Sequence, residues 1–125
     1  MRNPIADSDR MRPIPVTDPS THVVQLTPPG RGAVAVVLVA GPDAVTVVDR
    51  IFVAANGRPV AQQAIGRIVF GRWQGPPGLG GEELIICRRG DDSVEVHPHG
   101  GTAAVRAVID QLVDCGCGRL DWKEW

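Results

Sequence analysis

The chain has 125 residues, room for one compact domain, and 43% of them are apolar, enough to fill a hydrophobic core. Thirteen basic residues stand against 14 acidic ones, for a net charge of -1, and 22% of residues are charged; this excludes a disordered acidic tail and a broad nucleic-acid-binding surface. Three cysteines make no disulfide framework, no apolar stretch opens the chain and none could span a bilayer, so a soluble protein of the reducing cytoplasm is expected.

Residues 1–20 are rich in Pro, Asp and Arg, show no hydrophobic period and read as a flexible leader; the domain proper is expected over residues 21–125. Val23 to Leu26 is a short β-branched stretch that predicts a strand. In Thr27-Pro28-Pro29-Gly30-Arg31-Gly32 two prolines remove backbone donors and the glycines admit positive φ, so a tight loop is expected. Ala33 to Val39 is apolar on both faces, the pattern of a central buried strand. Gly41-Pro42 ends it. Pro42 and Asp43 suit a first helical turn, and Val45, Val48, Ile51 and Phe52 recur at spacings of three and four. A helix is therefore expected up to the Asn56-Gly57 turn.

Ile65 to Trp73 predicts a strand, weakened at Gly66 and Gly71, and the Gly/Pro-rich Gln74 to Gly81 is loop. Glu83 to Cys87 and Ser93 to His97 predict two more strands, joined into a hairpin by the turn residues of Arg88-Arg89-Gly90-Asp91-Asp92. Thr102 can cap a helix reaching about Asp114, with Val105, Val108, Ile109, Leu112 and Val113 on one face and Gly116 or Gly118 as a left-handed cap. Leu120 to Trp125 starts a further strand or a linker. Strands and helices mix without a regular βαβ repeat. The expected fold is α+β, a small mixed β-sheet of about five strands packed with two or more helices.

Glu95, His97 and His99 alternate, so on a continuing strand they share one face. They could form an acid–base pair, or Glu95 could sit at a solvent-facing strand end paired with Arg88 or Arg89. Gly100-Gly101-Thr102 opens a helix whose N-terminus attracts anions, although the glycines equally serve a sharp turn. His97, His99, Cys115 and Cys117 are ligand types that zinc accepts, but their spacing matches no strong metal pattern and no metal site is expected. No nucleophile accompanies these groups, so no catalytic residue is assigned. The GxxxxGK[ST] phosphate loop is absent and the only lysine, Lys123, stands two residues from the end, so no GTP site is expected. Trp73, Trp122 and Trp125 read as packing residues, and no basic, aromatic-rich patch supports direct nucleic-acid binding.

Thr27 to Val36 resembles the N-terminal signature of the TrmE/MnmE family of tRNA-modification GTPases, a TPPGxGAIGI-like loop and strand. Gly41-Pro42 stands where that family has its SGP turn, and Gly90 to Gly101 (GDDSVEVHPHGG) resembles its GEDVVEIHCHGG segment. The blocks agree in order and separation, and the resemblance runs from about Thr21 to Trp125. It implies an α+β module that forms a homodimer, similar in fold to the tetrahydrofolate-binding domain of the glycine-cleavage T-protein group. Such a module binds a 5-formyltetrahydrofolate-type one-carbon donor near the dimer interface. By the same resemblance the cofactor-binding positions are Arg31, Leu38, Glu95, His97, His99, Gly100 and Gly101. Glu95 would accept paired hydrogen bonds from the amino-pyrimidine edge of a pterin. The complete family protein adds a helical domain and an inserted GTPase domain, and with an MnmG (GidA)-type flavoprotein modifies the wobble uridine of certain tRNAs.

Four departures stand out. Leu38 occupies the position of a folate-contacting arginine, which removes a fork for a carboxylate or polar pterin edge. The segment before Gly90 lacks the usual PxSFT stretch, Pro98 replaces the residue between the histidines, and the chain stops about where the family's GEF segment leads into the helical domain. The expectation is a dimerisation and folate-binding module without the GTPase domain. The alternative, motivated by Leu38, is a structural relative that dimerises without binding folate.

Overall fold

The computed structural model describes residues 20–27, 35–75, 81–99 and 101–121. Most of the leader, Arg31 with most of its loop, Gly100, Trp122 and Trp125 lie outside the described residues. The elements run β1 (His22–Gln25), β2 (Val37–Ala40), α1 (Ala44–Ile51), β3 (Phe52–Ala54), a 3-10 turn (Val60–Gln62), β4 (Ile68–Trp73), β5 (Glu82–Gly90), β6 (Ser93–His97), α2 (Thr102–Asp114) and β7 (Gly118–Leu120). The fold is α+β. One mixed sheet holds the strands in the order β3-β4-β5-β6-β2-β1-β7, antiparallel throughout except that β7 runs parallel to β1. Among the described residues it has seven strands, two more than the sequence suggested.

Alternation along the strands sorts side chains onto two faces. Val23, Val37, Val39, Val69, Leu84, Ile86, Val94 and Val96 form one face and pack beneath the helices. Helix α1 adds Val47, Val48 and Ile51, and α2 adds Val105, Val108, Ile109 and Leu112. Each such side chain, fully buried, contributes roughly 1.5–3 kcal/mol.

The turn into α1 is tied down by Thr21, which is almost fully buried. Its hydroxyl accepts a hydrogen bond from the Asp43 N–H at 2.9 Å, and its carbonyl accepts one from the Gly118 N–H at 2.9 Å. One residue thus joins β1, α1 and the start of β7. Gly41 crosses this corner at φ 138°, where a Cβ would lie 2.4 Å from the Ser20 carbonyl oxygen, so no other residue fits.

Helix α1 stops at Ile51, short of the expected Asn56-Gly57 boundary. Phe52 continues the apolar spacing but turns into β3, where it pairs with Trp73 of β4. Gly71 makes this possible, because a Cβ there would meet the Phe52 ring at 2.3 Å. Strand β4 starts at Ile68, after a turn through Gly66 at φ 85°. The N-cap position of α2 is Gly101 rather than Thr102, and no side chain caps it. At the other end Gly116, at φ 104°, donates to the Val113 carbonyl while Cys117 donates to that of Leu112, the paired bonds of a Schellman cap. That cap turns the chain into β7, which begins at Gly118 rather than near Leu120. Among the described residues no helix is long and apolar enough to cross a membrane.

Candidate functional site

Among the described residues, no helix packs on the second face of the sheet. Cross-strand registers set Val24, Leu38, Glu95, Cys87 and Ile68 in one row across β1, β2, β6, β5 and β4, and His97, Ile85 and Phe70 in the next. Val24, Leu38 and Cys87 are buried, whereas Ile68 and Phe70 are 59% and 70% exposed. Glu95 and His97 stand between, with side chains each 21% exposed.

The Glu95 carboxylate meets two partners. His97 Nε2 lies 3.1 Å from Oε1, and Arg89 Nε lies 3.5 Å from Oε2. Of the two arginines that could have paired with Glu95 it is Arg89, because alternation along β5 sets it on the face of Cys87, the register partner of Glu95, and sends Arg88 to the other. Arg88 turns to the helix side and donates to the carbonyls of Ala61 (3.0 Å), Gln63 (3.1 Å) and Gly90 (3.3 Å), with Asp91 at 3.6 Å. It clamps the 3-10 turn to β5, and its buried Nε has no partner among the described residues.

Strand β6 ends at His97 and Pro98 is buried, so His99 is carried off the ladder and does not join Glu95. The His99 N–H donates to Glu82 Oε2 at 3.2 Å. His99 instead borders a groove of about 620 Å³ whose walls include Val53, Phe70, Gly71 and Ile85, with Arg72 and Glu83 at its margin. Through Ile85, the register partner of His97, this groove adjoins the Glu95 cluster. Leu38 is the direct register partner of Glu95 on β2 and is only 8% exposed, so it sets an aliphatic wall beside the carboxylate. Gly101, at φ 81°, accepts the first-turn bond of α2 from the Val105 N–H.

The zinc-type residues do not converge. Cys115 and Cys117 end α2, and among the described residues no group of three or more His, Cys, Asp or Glu could hold a metal ion. The groove itself was missed by sequence reasoning. Its signal was present in the alternation Ile68, Phe70, Arg72 on β4, which sets two large apolar side chains on the face away from α1 and α2. Chemically the cluster combines an acceptor (Glu95), a donor fork (Arg89) and an imidazole of either role beside an apolar groove. That combination suits holding a flat polar ring.

Residues 21–120 match the family model described as the N-terminus of the GTP-binding protein TrmE. The chain belongs to this family. It is 35% identical over 95 residues to a tRNA modification GTPase MnmE of Symbiobacterium thermophilum, covering 70% of this chain and 21% of that relative. A Listeria innocua protein of the same description is 32% identical over 105 residues (79% and 22%), and one from Chlamydia pneumoniae 35% over 96 residues (72% and 21%). The chain therefore spans about a fifth of the length of these relatives. Within the family's region fall Leu38, Glu95, His97, the groove, α1 and α2.

Proposed function

We propose that this domain dimerises and holds a reduced folate of the 5-formyltetrahydrofolate type, orienting its one-carbon unit for chemistry done elsewhere in a tRNA-modification system. The observation that carries this reading is the Glu95–His97 contact on the face away from α1 and α2, beside an apolar groove. An ionised carboxylate has about four lone-pair sites, so Glu95 keeps acceptor capacity beyond His97 and Arg89 for the amino and ring N–H groups of a pterin. The groove volume falls in the usual range for small-molecule sites, and its Phe70 and Ile85 walls suit a flat ring system. GTP hydrolysis, an MnmG-type flavoprotein and tRNA would enter through other parts of a complete, cytoplasmic family protein.

Calorimetric titration with 5-formyltetrahydrofolate tests the reading. Saturable binding near one folate per protomer is expected, weakened on the order of tenfold or more by Glu95→Ala, since a hydrogen bond to a charged group contributes about 1.5–3 kcal/mol. Absence of binding by a folded dimer would sink the folate role and favour the second reading, a dimerising relative without ligand. Leu38 motivates that alternative, because it faces Glu95 where a guanidinium could stand. Under it, Leu38→Arg creates or strengthens folate binding; an unchanged titration would remove Leu38 as the cause.

A further inference from the structure

Alternation along β5 sets Arg88 and Arg89 on opposite faces of the sheet and leaves one guanidinium engaged and the other available. Arg88 has its terminal nitrogens on three backbone carbonyls. Arg89 is 58% exposed and touches Glu95 through Nε at 3.5 Å; among the described residues its two terminal nitrogens have no acceptor. An exposed contact of this kind contributes about 0–1 kcal/mol, too little to fix the side chain. On the other side of Glu95 stands Leu38, which offers no donor. Among the described residues, Arg89 is thus the only arginine at this carboxylate.

We infer that Arg89 is a specificity-determining binding residue that donates to the ring carbonyl of the ligand's amino-oxo-pyrimidine, next to the N–H groups received by Glu95. This rests on the reduced-folate reading above. Such a ring presents an amino group, a ring N–H and a carbonyl oxygen in sequence along one edge. A carboxylate complements the first two and repels the third. A guanidinium beside the carboxylate completes the match, acceptor facing donors and donor facing acceptor. The order of groups on the protein, Glu95 then Arg89, reads an oxo ring and rejects a ring that carries a second amino group in place of the carbonyl. That rejection comes from setting two donors against each other.

The test titrates the full chain, as wild type, Arg89→Ala and Arg89→Lys, with 5-formyltetrahydrofolate and with a diamino-pyrimidine folate analogue lacking the ring carbonyl. Arg89→Ala should weaken the oxo ligand about tenfold, the loss of one charge-assisted hydrogen bond, and should bind the diamino ligand at least as tightly as the wild type does, because the opposed donor is gone. Arg89→Lys, which keeps the charge without the fork, should fall between. Equal losses for both ligands would overturn the inference, because Arg89 would then act only by holding Glu95. Unchanged binding of both would overturn it as well. Failure of the wild type to bind either ligand would instead bring down the folate reading itself, and is recognised from the wild-type titrations alone. Thermal melts of both variants confirm that each is folded before its titration is read.

Discussion

Cys117 sits where α2 ends, with its side chain among the core residues. Loss of solvation, and then the neighbouring Cys115 and Asp43, push its thiol from 9.0 up to about 11. The folded chain therefore holds this proton more tightly than the unfolded chain does. Stability from this source is complete below about pH 9 and is lost as pH rises towards about 11. The chain has no tyrosine, and its only lysine is Lys123, so few other groups confuse that window. Thermal melts between these limits should show the wild type losing stability more steeply than Cys117→Ala. Parallel curves would mean that another group governs the alkaline limit. At neutral pH the same protonation leaves Cys117 a poor nucleophile.

At the scale of whole elements, one amide joins α2 to the end of β4. Gln111 Oε1 accepts from the buried Trp73 indole N–H at 3.1 Å, and its Nε2 donates to the Gln74 carbonyl at 2.7 Å. Gln111→Ala leaves the indole donor unpaired and should cost about 1–3 kcal/mol, read as a lower urea midpoint with an unchanged slope. A shift under about 0.5 kcal/mol would mean that the helix is held by its apolar stripe alone. That stripe was legible in the sequence, because Val105, Val108, Ile109 and Leu112 recur at helical spacing within a helix of 13 residues. The β5–β6 hairpin was legible for a similar reason, through turn chemistry between two alternating runs. Strands β3 and β7 were not. Phe52 keeps the helical period while its backbone has already become extended, and only the space left by Gly71 decides the matter. Gly118-Arg119-Leu120 carries no pattern of its own and becomes a strand because Thr21 receives its first N–H. At the site, the alternation of Glu95 and His97 placed them together, but the departure of His99 depended on where β6 stops. The partition of Arg88 and Arg89 between faces depended on β5 running on to Gly90 rather than ending at Cys87, so that alternation continues into the expected turn.

The molecule as a whole is asymmetric. Among the described residues, one face of the sheet lies under α1 and α2, while the other exposes Val53, Ile68 and Phe70, 51%, 59% and 70% accessible, at the β3–β4 end. The oppositely charged register partners Arg72 and Glu83 flank this strip, so it can complement itself across a two-fold axis. If the dimer forms here, Phe70→Glu should yield monomers in sedimentation velocity at micromolar concentration while leaving the fold intact. A variant that stays dimeric would move the interface to another surface. If copies meet, the ends of the sheet constrain how. Among the described residues the outermost strands, β3 and β7, are each three residues long. So short an edge offers a passing strand too few backbone groups to hold it, which guards against fibril growth. Copies that join face to face can part without unpicking either sheet, so subunits would exchange at the pace of dissociation rather than of unfolding.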